Sequence, residues 1–110
     1  MNVQIRAKDI TLTSHLNDHI AAAIDNFKRY HLDMTTVNVI ITKEKQSVAV
    51  EFDIHIAHAQ PVVISHSDAD LDTAIDLAIE RANKALRRLH DKTKDHHTSS
   101  IRDIEVAEAE

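Results

Sequence analysis

Cysteine is absent from this 110-residue chain. That excludes disulfides, thiolate nucleophiles and cysteine-held metals, and it suits a reducing compartment. Glycine is absent as well, so no glycine-rich loop is available to cradle a nucleotide phosphate. There is no tryptophan, and Phe27, Tyr30 and Phe52 are the only aromatic residues. Any core must therefore be built from Ile, Val, Leu and Ala. No stretch approaches the roughly 18 apolar residues of a membrane span. The start, Met1-Asn2-Val3-Gln4-Ile5-Arg6, lacks the basic opening and apolar run of a secretory signal. These features together lead us to expect one domain in the cytoplasm, with no membrane partner.

What is present is patterned. Val3, Ile5 and Ala7 alternate over Asn2 to Lys8, as in a half-buried strand. Thr13 can N-cap a helix from about Ser14 to Tyr30, whose apolar face is Leu16, Ile20, Ala23, Ile24 and Phe27. Val37, Val39 and Ile41 mark a second strand, and Lys43-Glu44-Lys45-Gln46 a polar turn. Val48, Val50, Phe52, Ile54 and Ile56 alternate strictly with Ala49, Glu51, Asp53, His55 and Ala57, which makes the clearest strand. Val62 to Ser65, after Pro61, forms a short fourth. Ser67 or Asp68 can cap a long second helix with the stripe Leu71, Ile75, Ala78, Ala82, Leu86 and Leu89. Asp68, Asp70 and Asp72 near its start, and Arg87, Arg88 and Lys92 near its end, suit the helix dipole.

The predicted fold is an α+β sandwich in the order β-α-β-β-β-α. A strand–helix–strand unit favours a parallel pair, and short turns then give an antiparallel meander. The result is a four-stranded mixed sheet with two helices packed on one face. The predicted domain spans residues 1–94. Residues 95–110 are polar and acidic, and are expected to be a disordered tail.

The net charge is −5, an unpromising value for a polyanion binder. Residues 81–94, however, hold six basic groups and a single acid, Asp91, and local field governs encounter more than net charge does. Arg81, Lys84, Arg88 and Lys92 fall at i, i+3, i+7 and i+11 on one helix face, with Arg87 and Lys94 flanking. A solvated helix face would normally interleave acids; a bare basic ridge can track phosphates. Lys43 and Lys45 crown the hairpin turn, where lysine is most often there for solubility. The nine histidines form no convincing ligand set. His55 and His58 are three apart, so on one strand they point to opposite faces, and His15 with His19 lacks a third ligand. His31, His66 and His90 show no pattern, and His96-His97 lie in the expected tail. No catalytic order of nucleophile, base and acid is visible, so neither an enzyme nor a cofactor is expected.

The chain resembles the ribosome hibernation-factor family, also known under the name sigma-54 modulation protein. Asp70-Leu71-Asp72-Thr73-Ala74-Ile75-Asp76 is similar to the family's Asp-Met-Tyr-x-Ala-Ile-Asp/Asn segment. Arg81, Lys84, Arg88 and Lys92 fall where the family carries Lys or Arg. Ile41-Thr42-Lys43-Glu44 resembles Leu-Ser-Lys-Glu, and Leu12-Thr13 followed by Leu16 resembles Ile-Thr-x-x-Ile. The family tyrosine is Asp72 here. Asn17, Ala23 and Asn26 replace basic groups common on helix one, where Lys28 and Arg29 remain.

The resemblance implies binding to the small ribosomal subunit and its rRNA between head and body, in the channel used by messenger and transfer RNA at the A and P sites. Translation would be blocked there in stationary phase or stress. The implied rRNA-binding set is Arg81, Lys84, Arg87, Arg88, Lys92, Lys28, Arg29, Lys43 and Lys45. The acidic tail resembles that of the inhibitor type rather than the short promoting type that favours ribosome dimers. A monomer is expected, with no small-molecule substrate and no metal. A generic double-stranded-RNA binder and a histidine-based metal or proton sensor are the competing readings. The tail is expected to be unnecessary for the fold, so deleting everything after Lys94 will leave the circular-dichroism spectrum and the unfolding midpoint nearly unchanged.

Overall fold

The computed structural model describes the backbone of residues 1–98 and the side chains of residues 1–92. Its elements are β1 (Asn2–Lys8), α1 (Ser14–Asn26) continued by a 3₁₀ turn (Phe27–Tyr30), β2 (Met34–Lys43), β3 (Val48–Ile56), β4 (Val62–Asp68) and α2 (Leu71–Thr98). The sheet order is β1-β2-β3-β4. β1 and β2 are parallel and the other pairs antiparallel. The α1 crossover requires the parallel pair, and the two hairpins that follow require the antiparallel ones. This is the α+β arrangement expected from the patterning.

A single core forms between the helices and one sheet face. From the sheet come Val37, Val39 and Ile41 of β2 and the even-numbered residues Val48 to Ile56 of β3. From the helices come Leu16, Ile20 and Ile24 of α1, Phe27 of the turn, and Ala74, Ile75, Ala78, Ala82 and Leu86 of α2. Phe27 and Phe52 meet edge to face with centroids 6.2 Å apart, the favoured geometry for ring quadrupoles. The β3 residues Glu51, Asp53 and His55 face the other side of the sheet, where His55 Nε2 lies 3.3 Å from Asp53 Oδ1.

The structure departs from the sequence reading in five places. β1 is less buried than expected: only Ile5 is half-buried, because α2 packs over β3 and β4 and leaves β1 largely uncovered. β2 begins at Met34, three residues before Val37, and a register shift between Met34 and Thr36 turns both Met34 and Val37 to the core. That bulge breaks the alternation by one residue. β4 continues past Ser65 to Asp68 by pairing with Val48 and Val50. The α2 cap is neither Ser67 nor Asp68 but Asp70, whose Oδ2 accepts from the Thr73 backbone N–H at 3.0 Å and from Thr73 Oγ1 at 2.9 Å. Asp68 instead accepts from the Asp70 N–H at 3.0 Å. At the far end α2 runs to Thr98, past the expected boundary at Lys94, since propagating a formed helix costs little per residue. The rest of the expected tail lies outside the described residues.

Thr13 caps α1 as expected, its Oγ1 accepting from the Leu16 N–H at 3.1 Å. The lack of glycine is met by side chains that tolerate the left-handed region. Asp9, His31 and His58 have φ of 63°, 55° and 64°, and Asp and His are among the residues enriched there. His58 therefore lies in the turn after β3, not on the strand with His55. The hydrogen bonds at Asp70 hold its carboxyl below the ordinary carboxylate value of 3.8. A depressed folded-state value means that the cap stabilises above the ordinary value and is lost as pH falls through the lowered one. Asp70→Ala will lower the thermal midpoint at pH 7, and the gap to wild type will shrink as pH is taken below 3.8.

Candidate nucleic-acid interface

Burial of Ala74, Ile75, Ala78, Ala82 and Leu86 fixes the roll of α2. At 3.6 residues per turn, that roll puts the helix's cations into solvent on two flanks. Arg81, Lys84, Arg87, Arg88 and Lys92 are all exposed. Their side chains carry no hydrogen bond or ion pair among the described residues. The single predicted ridge is therefore divided. Lys84 and Arg87 line a groove between α1 and α2, while Arg81, Arg88 and Lys92 stand outside it.

The groove encloses about 620 Å³. His19, Ala22, Ala23 and Asn26 of α1, with Arg29 and Tyr30 of the 3₁₀ turn, form one wall. Asp76, Ile79, Glu80, Asn83, Lys84 and Arg87 of α2 form the other. Two polar ties hold the walls together. His19 Nε2 lies 2.8 Å from Asp76 Oδ1. Further along, the Tyr30 hydroxyl donates to Asn83 Oδ1 at 3.0 Å, while Arg29 Nη2 donates to the Tyr30 hydroxyl at 2.9 Å and reaches Asn83 Oδ1 at 3.5 Å. The Arg29 guanidinium also lies over the Tyr30 ring, 5.0 Å from its centroid, an attractive cation–π arrangement. These ties pair earlier α1 residues with earlier α2 residues, so the helices run parallel.

The remaining predicted residues are not part of this surface. Lys28 is exposed and paired with Asp25 at 2.9 Å. Lys43 and Lys45 flank the hairpin turn, where the Glu44 N–H donates to the Ser47 carbonyl at 2.8 Å. Because Val48 pairs with Asp68, that turn lies at the end of the sheet where α2 begins, far from Arg87 to Lys92. Tyr30 and Asn83 were missed by sequence reasoning. Tyr30 follows two basic residues and Asn83 interrupts a basic stretch, and no local pattern marks the pair.

Residues 3–94 match the family described as Sigma 54 modulation protein / S30EA ribosomal protein. The chain belongs to this family. Among curated proteins it is similar to the ribosome hibernation promoting factor of Azotobacter vinelandii, 29% identical over 92 residues covering 84% of this chain and 85% of that one. Two solved structures share the fold. The Thermus thermophilus Protein Y N-terminal domain has a TM-score of 0.70 at 22% identity, covering 81% of this chain and 99% of that one. A ribosomal subunit interface protein from Coxiella burnetii has a TM-score of 0.72 at 11% identity, covering 81% and 97%.

Tyr30 is 7% exposed, and its hydroxyl bonds at the groove wall are part-buried. Tyr30→Phe is expected to cost about 0.5–1.5 kcal/mol, the usual net worth of one intramolecular hydrogen bond. Urea unfolding will read the loss as a lower midpoint with an unchanged slope.

Proposed function

We propose that this chain is a ribosome hibernation factor that binds the small ribosomal subunit in the messenger- and transfer-RNA channel, at the A and P sites, and blocks translation under stress or in stationary phase. Membership of the family carries this reading, and the name of the Azotobacter relative points the same way. The structure supplies a physical means: five exposed cations on α2 with no partner among the described residues. Unneutralised cations at fixed spacing replace condensed counterions on an RNA backbone, and the release of those ions drives association. Inhibition then comes from occupancy of the channel, with no bond made or broken and no cofactor required.

Arg81 and Arg88 lie on one flank and outside the core, so they can be reversed without disturbing packing. Arg81→Glu with Arg88→Glu is expected to abolish co-sedimentation with small subunits from starved cells while the unfolding midpoint stays near wild type. Milder Arg→Gln variants will reduce the slope of log affinity against log salt by about one per lost phosphate contact. Wild-type co-sedimentation by the double reversal would remove the α2 surface from the reading. Equal affinity for naked duplex RNA and intact subunits would favour the generic duplex binder instead.

We further propose that the acidic residues 95–110 oppose ribosome dimers by occupying or screening the messenger-RNA exit region, since their charge of −4 is repelled by rRNA and cannot itself strengthen docking. Sucrose-gradient profiles will then show more dimers in cells carrying the chain truncated after Lys94 than in cells carrying the full chain. Identical profiles would favour the promoting type of factor.

A further inference from the structure

The groove between α1 and α2 is charged in two halves. Asp76 and Glu80 stand at the groove's end nearer the start of α2, while Lys84 and Arg87, with Arg29 across from them, stand near the middle of the helix. Ala22, Ala23 and Ile79 lie along the groove and give it an apolar lining. The helical rise from Glu80 to Arg87 is about 10 Å at 1.5 Å per residue. Among the described residues no ion pair joins Glu80 to Lys84, and Asp76 uses only Oδ1, on His19. Both ends therefore keep unsatisfied charge. A ligand that fits has an anionic head, a flat body and N–H donors at its far edge.

We propose that this groove binds one guanine nucleotide. The phosphate lies on Arg29, Lys84 and Arg87, the ribose and base lie over Ala22, Ala23 and Ile79, and the base edge meets Asp76 and Glu80. A carboxylate only accepts hydrogen bonds. Guanine presents N1–H and N2–H₂ side by side, two donors for one carboxylate. Uracil presents a single N3–H between two carbonyl oxygens, which the acidic end repels. Arg29 is already fixed by Tyr30 and Asn83, so it loses little freedom when a phosphate arrives. With no glycine in the chain, the phosphate is held by helix side chains rather than by loop amides.

Two sources share this chemistry: a free guanine nucleotide, and a guanosine unstacked from RNA. Only the second rests on the ribosome reading. The isolated full chain would be titrated with GMP, UMP and inorganic phosphate, following the amide resonances of Ala22, Ala23, Ile79 and Asn83. GMP should shift these resonances and bind about tenfold or more tighter than UMP or phosphate, the factor expected from hydrogen bonds to a charged acceptor. Asp76→Asn with Glu80→Gln should erase the difference between GMP and UMP and leave weak, salt-sensitive binding. Arg87→Glu should lose both ligands. Equal affinity for all three probes, or shifts confined to other parts of the chain, would overturn the proposal.

Co-sedimentation with small subunits in excess GMP then separates the sources. Displacement assigns the groove to an RNA guanosine and retention to a free nucleotide, and either upholds the site. Failure to co-sediment without GMP would count against the ribosome reading alone.

Discussion

The fit of α2 onto β3 and β4 determines most of what this molecule presents to solvent. Ala74, Ala78 and Ala82 are fully buried, and their small side chains let the helix backbone approach the sheet, while Ile75 and Leu86 fill the space on either side. A helix seated by such a stripe cannot roll without exposing apolar surface or burying a cation, and either is costly. The directions of Lys84 and Arg87 towards α1, and of Arg81, Arg88 and Lys92 away from it, are thus consequences of the core. α1 is held in turn by Leu16, Ile20, Ile24 and Phe27, with the Tyr30–Asn83 bond tying its far end to α2.

This dependence explains what the sequence could show. The alternation of β3 and the α2 stripe were legible because burial on one side writes a period into the chain. The α2 cations were legible because their acid-poor spacing stands out against it. The β2 bulge was not, since its extra residue breaks the period that would reveal it. The Asp70 cap was hidden because Ser67 and Asp68 offered equally good capping side chains just before it, and only the backbone path from β4 selects Asp70. The division of the basic ridge was out of reach because it needs the position of α1. The Arg29–Tyr30–Asn83 network joins residues more than fifty positions apart, and no local signal encodes such a meeting.

Charge is grouped along α2 rather than across the sheet. Asp72, Asp76 and Glu80 occupy its first part, and Arg81, Lys84, Arg87, Arg88 and Lys92 follow them. Residues 95–110 carry four of the five net negative charges, so residues 1–94 are close to neutral and the basic part of α2 sets the local field. A polyanion is drawn to that part and not to the acidic start of the helix, so encounters are oriented before contact is made.

The left-handed turn at His31 (φ 55°) has a consequence for the groove. A glycine there would make the corner between α1 and β2 a swivel, because glycine visits both signs of φ with little preference. A side chain bearing Cβ narrows the choices of the unfolded chain, and the His31 N–H donates to the Lys28 carbonyl at 3.0 Å, pinning the reversal in place. The residues just before the corner, Arg29 and Tyr30, thereby sit on a stiff bracket rather than a hinge. The guanidinium at the basic end of the groove keeps its aim because the His31–Lys28 bond closes the very turn that carries Arg29.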